Sequence, residues 1–383
     1  MALCCALAVS AIYYHQPLLP QIAATFGVTP TRGNILATLT QLGYAMGLLL
    51  FVPLADGIQP RKLASLAVVG NAVASMACAV APTFILLEIA SFLVGATAIT
   101  AQIVIPAASG KVSPASRGRV VGTLLGGLSS GVLLARTLSG LVGAHFGWRT
   151  MFALASGVDL LLLVVVSRLP AAYGLTAIRY RDLLRSLVAL TREERLLRIS
   201  VAMGFLTFAA FSAFWATLAA LLVRPPYELG PAAVGAFGLV GLAGLMVSPQ
   251  IGALVDRIGA RTVASVSAVT VVTAFVLIAP GARNLFCLVA GMVLLDLGNR
   301  AGFIANQARI YALRPEARSR LNTVFMVSYF LGGAAGAALG GYGAHRDGWI
   351  GLTVVGAVLS LAAVVASVFA YMKADTAYAD RPA

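Results

Sequence analysis

Asp296 and Arg300 stand four residues apart in an otherwise apolar run. On a helix that spacing puts both on one face, where they neutralise each other. An ionised group at mid-bilayer costs at least about 2.5–3.5 kcal/mol on insertion scales, so each such residue is a candidate for function. Desolvation favours the protonated carboxyl and the neighbouring Arg the charged one, which suits Asp296 to carry a proton whose binding a substrate shifts. The same spacing also suits a static intrahelical pair. Arg136, in another apolar run, is placed to bind a substrate anion or a carboxylate. Glu88 is a second candidate proton carrier, or reaches interfacial water from its place one turn into a run. His15, beside Tyr13, Tyr14 and Gln16, titrates near neutral pH or stays neutral and hydrogen-bonded. Asp159 lies mid-run in the sixth apolar stretch.

Uncharged polar groups in the runs complete a candidate substrate cavity: Gln16, Gln41, Tyr44, Gln102, Asn299, Asn306, Gln307 and Tyr329, together with His15, Arg136 and Arg300. Joining helix to helix is their alternative use. Phe205, Phe208, Phe211 and Trp215 form a stripe at helical spacing that suits an aromatic or cationic ligand, or lipid. Gly127, Ser129 and Gly131 match G-x-S-x-G, but that motif needs a strand-to-helix elbow and these residues lie in an apolar helical run. The chain has no G-x-x-x-x-G-K-[ST] and no H-E-x-x-H, so no ATP-driven pump, zinc protease or other enzyme is signalled, and no cofactor or metal is expected. Cys4, Cys5, Cys78 and Cys287 have neither metal-ligand nor disulfide-framework spacing.

The elements that must hold these groups follow from composition. Of 383 residues, 60% are hydrophobic and 10% charged, with a mean hydropathy of +0.93, whereas soluble domains carry about 25% charged residues. The chain therefore uses lipid as most of its solvent. Apolar runs of membrane-crossing length fall near 2–25, 35–55, 63–81, 84–109, 120–144 and 149–167, then near 198–223, 232–254, 262–280, 284–312, 321–343 and 349–372. The run from Met1 through Phe26 is too long for a signal-peptide core and is kept as the first span.

A net charge of +14 would suggest nucleic acid in a soluble protein. Here Lys and Arg fall 19 on one side of the spans and 5 on the other, with three inside them. The charge is thus a topology signal: the positive side, with both termini, is expected in the cytoplasm of an inner-membrane protein, and no nucleic acid partner is expected. Residues 168–197 form the longest loop, and the pattern Arg181, Asp182, Leu183, Leu184, Arg185, Leu187, Val188 predicts an amphipathic linker helix on the bilayer. Thr191 and Glu194 have capping-box spacing, which predicts a seventh span starting there.

LADGIQPRKLAS at 54–65 aligns with LVDRIGARTVAS at 254–265, SPASRGR at 113–119 with RPEARSR at 314–320, and AHFGW at 144–148 with HRDGW at 345–349. Offsets of 200 and 201 residues make two parallel six-helix repeats: an N-terminal bundle 1–167, the linker 168–197 and a C-terminal bundle 198–383.

With these residues the whole chain resembles the major facilitator superfamily. That family's G-x-x-x-D-R-x-G-R-K loop is matched by Gly252, Asp256, Arg257, Gly259 and Arg261, while the first copy keeps Asp56, Arg61 and Lys62 but has Val52, Gly57 and Gln59 at its other places. The resemblance implies that these residues form a cytoplasmic gate, a helix-capping turn being the alternative for Asp56 and Asp256; Arg117, Arg119, Arg318 and Arg320, at the start of helices after two equivalent loops, either pair with them in that gate or stand there as positive-inside charge alone. The fifth-helix pattern of proton-coupled efflux members falls on Gly122, Gly131, Ala135, Arg136, Ser139 and Gly140, with Arg136 where the family has Pro. What this implies is an all-α integral membrane protein of twelve transmembrane helices in the major facilitator fold. It is expected to act by alternating access as a monomer, with a small-molecule substrate, protons and the lipid bilayer as partners. The wording of the first, tenth and eleventh spans looks like the bacterial drug and sugar efflux branch, which implies proton-coupled export of a small organic compound. The alternatives are proton-coupled import of a small anionic metabolite, with Arg136 and Arg300 as clamps, and a membrane sensor that does not transport.

Overall fold

The computed structural model describes residues 1–56, 58–109, 114–168, 180–314 and 317–379, apart from the side chains of 56, 108, 109, 114–122, 125 and 369–379. The described chain is helical: α1 (Ala2–Ser10), α2 (Leu19–Phe26), α3 (Pro30–Gly33), α4 (Ile35–Leu50), α5 (Pro60–Val80), α6 (Phe84–Thr97), α7 (Thr100–Ser109), α8 (Pro114–Phe146) and α9 (Trp148–Val166) come first. Then follow α10 (Tyr180–Glu193), α11 (Arg195–Leu222), α12 (Pro231–Ala236), α13 (Gly241–Ile258), α14 (Ala260–Ile278), α15 (Leu285–Tyr311) and α16 (Arg318–Ala379). Side-chain caps start several of them: Thr29 accepts from the Arg32 amide, Thr83 from that of Leu86 and Asn284 from that of Cys287, each satisfying an N–H that the helix leaves orphaned.

Ten helical runs among the described residues are long and apolar enough to cross a membrane. The first apolar stretch is not one of them. It is broken after Ser10 into i→i−3 turns, Tyr13 N–H to Ser10 O at 2.9 Å and Gln16 N–H to Tyr13 O at 3.2 Å. Pro17 and Pro20 have no N–H to continue an α-helical ladder. The eleventh and twelfth stretches lie in one run, Arg318–Val368, bent where Asp347 and Gly348 leave helical geometry. Gly348 has φ of 57° and Gly147, its counterpart in the repeat, has φ of 82°. Both are conformations that only glycine takes without strain, and in each case a Trp follows. Outward faces carry exposed Leu66, Leu161, Met246, Phe286 and Ile350. Apolar exposure on this scale suits hydrocarbon as the surrounding medium.

The helices cluster into two compact units, Met1–Leu184 with Trp215–Leu245, and Arg185–Phe214 with Met246–Ala383. In the first unit α1 packs on α8, α4 on α6, α5 on α9 and α12 on α8. Small residues permit the approach: Gly127 and Gly131 of α8 face the Ala2 and Ala6 backbone, and Gly140 faces Pro231 and Gly235. Ser10 and Ser139 tie the same seam, donating to Gly131 O at 3.0 Å and Tyr14 O at 2.8 Å. The small-residue face read from the fifth span is therefore a packing face, and Gly127, Ser129 and Gly131 lie inside a helix rather than at an elbow.

In the second unit α14 packs on α15, and the first half of α16 on the first half of α11, where Gly332, Gly336 and Gly340 face Phe205, Ala209 and Ala213. The amphipathic helix of the linker is present as α10. Its end differs from expectation: the Thr191 hydroxyl donates to Leu187 O within α10, so it caps nothing, and the next helix begins at Arg195. Arg198 instead closes the corner, donating to Thr191 O at 3.0 Å and to Arg192 O.

Candidate functional site

Arg136 occupies the face of α8 that meets α1 and α12, and is 2% exposed. Its Nε donates to Gln16 Oε1 at 2.7 Å. The Trp215 ring lies 4.0 Å from the guanidinium carbon and the Tyr13 ring 5.0 Å. Aromatic faces are attractive to a desolvated cation, while the planar edge of a guanidinium is the part that matches a carboxylate. Next to this centre Thr137 Oγ1 donates to Gly235 O at 3.0 Å. The broken first helix is what delivers Tyr13 and Gln16 here. Its turn also carries His15, which is 2% exposed and whose Nε2 has no hydrogen-bond partner among the described residues.

Elsewhere in the first unit, Tyr44 is buried and receives a hydrogen bond at 3.4 Å from Gln102, and Gln41 is buried one turn earlier on α4. Glu88, on α6, pairs at 3.4 Å with Arg32 of α3, which is half exposed. That places Glu88 in an ion pair apart from the Arg136 cluster.

The second unit holds the other group of candidates. Asp296 is 6% exposed, with its Oδ2 3.9 Å from Arg300 Nε one turn along α15. On the same helix Asn299 Oδ1 accepts from the Tyr329 hydroxyl at 3.1 Å. The Tyr329 ring stacks on Phe208 with centroids 3.9 Å apart, and Phe303, Phe325 and Phe330 surround it. Two residues of the α11 stripe are internal to this unit, Phe208 and Phe211, which stack on each other and are both buried, while Phe205 is half-buried. Asn306 donates to Gly302 O of its own helix, and Gln307 donates to Asn322 Oδ1, which also accepts from Tyr311. The two bonds to Asn322 tie α15 to α16.

Of the gate candidates, Arg61 and Lys62 are exposed in the first turn of α5, and Asp256 and Arg257 are exposed at the end of α13. Arg261 is half-buried at the start of α14, as is Arg320 on α16. Arg318 donates to Tyr311 O at 3.1 Å. The side chains of Asp56, Arg117 and Arg119 lie outside the described residues. Sequence reasoning missed Arg314, which bridges Glu194 at 2.7 Å and Glu193 at 3.1 Å. Glu194 first, then Glu193, hold its guanidinium above the ordinary range. A cation held above its unfolded value keeps its charge, and the contact, until strongly alkaline pH. Among the described residues no group of His, Cys, Asp and Glu could hold a metal ion.

The sequence profile of the Major Facilitator Superfamily matches residues 1–249 and 200–383. The chain is 35% identical over 362 residues to the uncharacterized transporter YgaY of Escherichia coli O157:H7, covering 94% of this chain and 92% of that one. It is 36% identical over 363 residues to the probable transporter SCO4007 of Streptomyces coelicolor, covering 93% and 83%. Its fold is similar to the crystal structure of the human organic anion transporter MFSD10, with a TM-score of 0.73 at 17% identity over 96% of this chain and 97% of that one.

Proposed function

The chain belongs to the Major Facilitator Superfamily, and from that premise we propose that it exports a small organic compound in exchange for protons. Transport by a multi-pass helical protein is common ground with its relatives; direction and coupling are our reading. In that reading twelve helices form two parallel repeats, 1–167 and 198–383, joined by the linker 168–197. The protein works as a monomer in the inner membrane with both termini cytoplasmic.

The observation that carries the proposal is Asp296 at 3.9 Å from Arg300 on a membrane-crossing helix, beside the Tyr329–Asn299 bond and its aromatic surround. Burial of this carboxylate favours the proton and the Arg one turn away favours the charge, so the two states are set against each other at one site. Substrate entering beside Tyr329 shifts that balance, and linkage makes proton and substrate compete. Proton release on adding cationic drugs, sugars, amino acids and organic acids to purified protein tests this. Release caused by one ligand class in wild type and lost in Asp296→Asn is the expected result. Binding with no proton released, or release that persists in Asp296→Asn, sinks the assignment.

A second reading, import of a small organic anion, is favoured by one observation: the desolvated Arg136 guanidinium beside Gln16 and two aromatic rings. It predicts uptake whose half-saturating anion concentration rises at least tenfold in Arg136→Gln, the loss of a charged hydrogen bond worth about 1.5–3 kcal/mol.

A further inference from the structure

The buried stripe of α9 reads Trp148, Met151, Phe152, Ala155, Ser156, Asp159, Leu162 and Val166. One carboxylic acid therefore sits on the protein-facing side of a membrane-crossing helix, while Leu160, Leu161 and Val164 of the same helix are exposed. Asp159 is 5% exposed and its Oδ2 has no hydrogen-bond partner among the described residues. Helices α1, α5 and α8 pack against α9. Among the described side chains their ionisable groups, with those of the turn after α1, are Cys4, Cys5, Tyr13, Tyr14 and His15, then Arg61, Lys62 and Cys78, then Arg136 and His145, while α9 itself adds Arg149; the side chains of Arg117 and Arg119 at the start of α8 lie outside the described residues. Among the described residues no cation forms an ion pair with the carboxylate.

We propose that Asp159 is a proton-binding site separate from Asp296, occupied at neutral pH, so that this chain carries a neutral carboxylic acid in its first unit. An isolated carboxylate out of water is far costlier than the acid, and a buried group in that position takes up a proton instead. The location gives the proton a route to consequences. Helix α1, which packs on α9, leads directly into the turn where the Tyr14 carbonyl accepts from Ser139 of α8 and Gln16 holds Arg136. Losing the proton places a negative charge beside the turn on which the Arg136 cluster hangs.

Infrared spectroscopy of the purified full-length protein in detergent reads this directly, through the C=O stretch that only a protonated carboxyl group shows. At neutral pH the wild type is expected to show such absorption, one component of which is lost in Asp159→Asn, displaced in frequency in Asp159→Glu and retained in Asp296→Asn. Neutral-pH absorption that survives unchanged in Asp159→Asn overturns the proposal, as does the absence of any protonated-carboxyl band in wild type. Should Asp159→Asn not fold, Asp159→Glu decides alone, absorption with no displaced component being the negative result. The Asp296→Asn arm keeps this outcome distinct from the export reading, which stands or falls on ligand-driven proton release.

Discussion

Arg136 shows what a single residue can and cannot reveal from type and position. Its sequence flags it, because an arginine in an apolar run has to find compensation. Nothing in the sequence places Trp215 over it, since the two lie far apart in the chain and aromatic stripes have many uses. The structure puts that ring at 4.0 Å, which makes the stack a source of stability. A desolvated cation–π contact is worth about 2 kcal/mol and truncating a buried Trp costs about 3–5 kcal/mol. Melting temperature in detergent is therefore expected to fall in the order wild type, Trp215→Phe, Trp215→Ala; equal losses for Phe and Ala would remove the aromatic face from the explanation. Asp296 and Arg300 were legible as a pair because their spacing is local, and they are found together. Asp159 was visible as a charge but not as to its surroundings, which depend on which way α9 turns its faces.

Helices were legible at the scale of the element wherever hydrophobic length alone decides. Breaks and bends were less so, because apolar run length takes no account of backbone hydrogen bonding. Pro17 and Pro20 carried the signal for the interruption after Ser10, and Asp347–Gly348 carried that for the bend in α16. The seam of α1 on α8 offers a test of how closely elements are fitted. A side chain at Gly131 meets the Ala6 backbone, whereas one at Gly126 meets nothing within 4 Å. Gly131→Val is expected to destabilise by more than the usual 1–3 kcal/mol of overpacking, since backbone cannot move as a side chain does. Gly126→Ala, by contrast, is expected to stabilise by about 0.5–1 kcal/mol through helix propensity alone. Unfolding of the two variants in detergent checks the contrast, and similar melting temperatures would count against the seam.

At the scale of the whole molecule, the distribution of charge makes a prediction about sidedness. With Cys287 replaced by Ser, a membrane-impermeant thiol reagent added to intact cells is expected to label Arg283→Cys. It is expected to reach Arg257→Cys only once the membrane is opened. The reverse pattern would invert the topology inferred from the basic loops. The paired segments AHFGW and HRDGW bear on something other than transport. Between them Phe146 corresponds to Asp347 and His145 to Arg346, so charge and volume have drifted, yet the glycine stands in both and has positive φ in both. Replacing it by an L-residue would cost about 1–3 kcal/mol, a toll that chemistry elsewhere in the segment escapes. Where the two segments align, the side chains ahead of the turn differ while its handedness is the same, so the constraint the segments share lies in backbone chirality and not in side-chain chemistry.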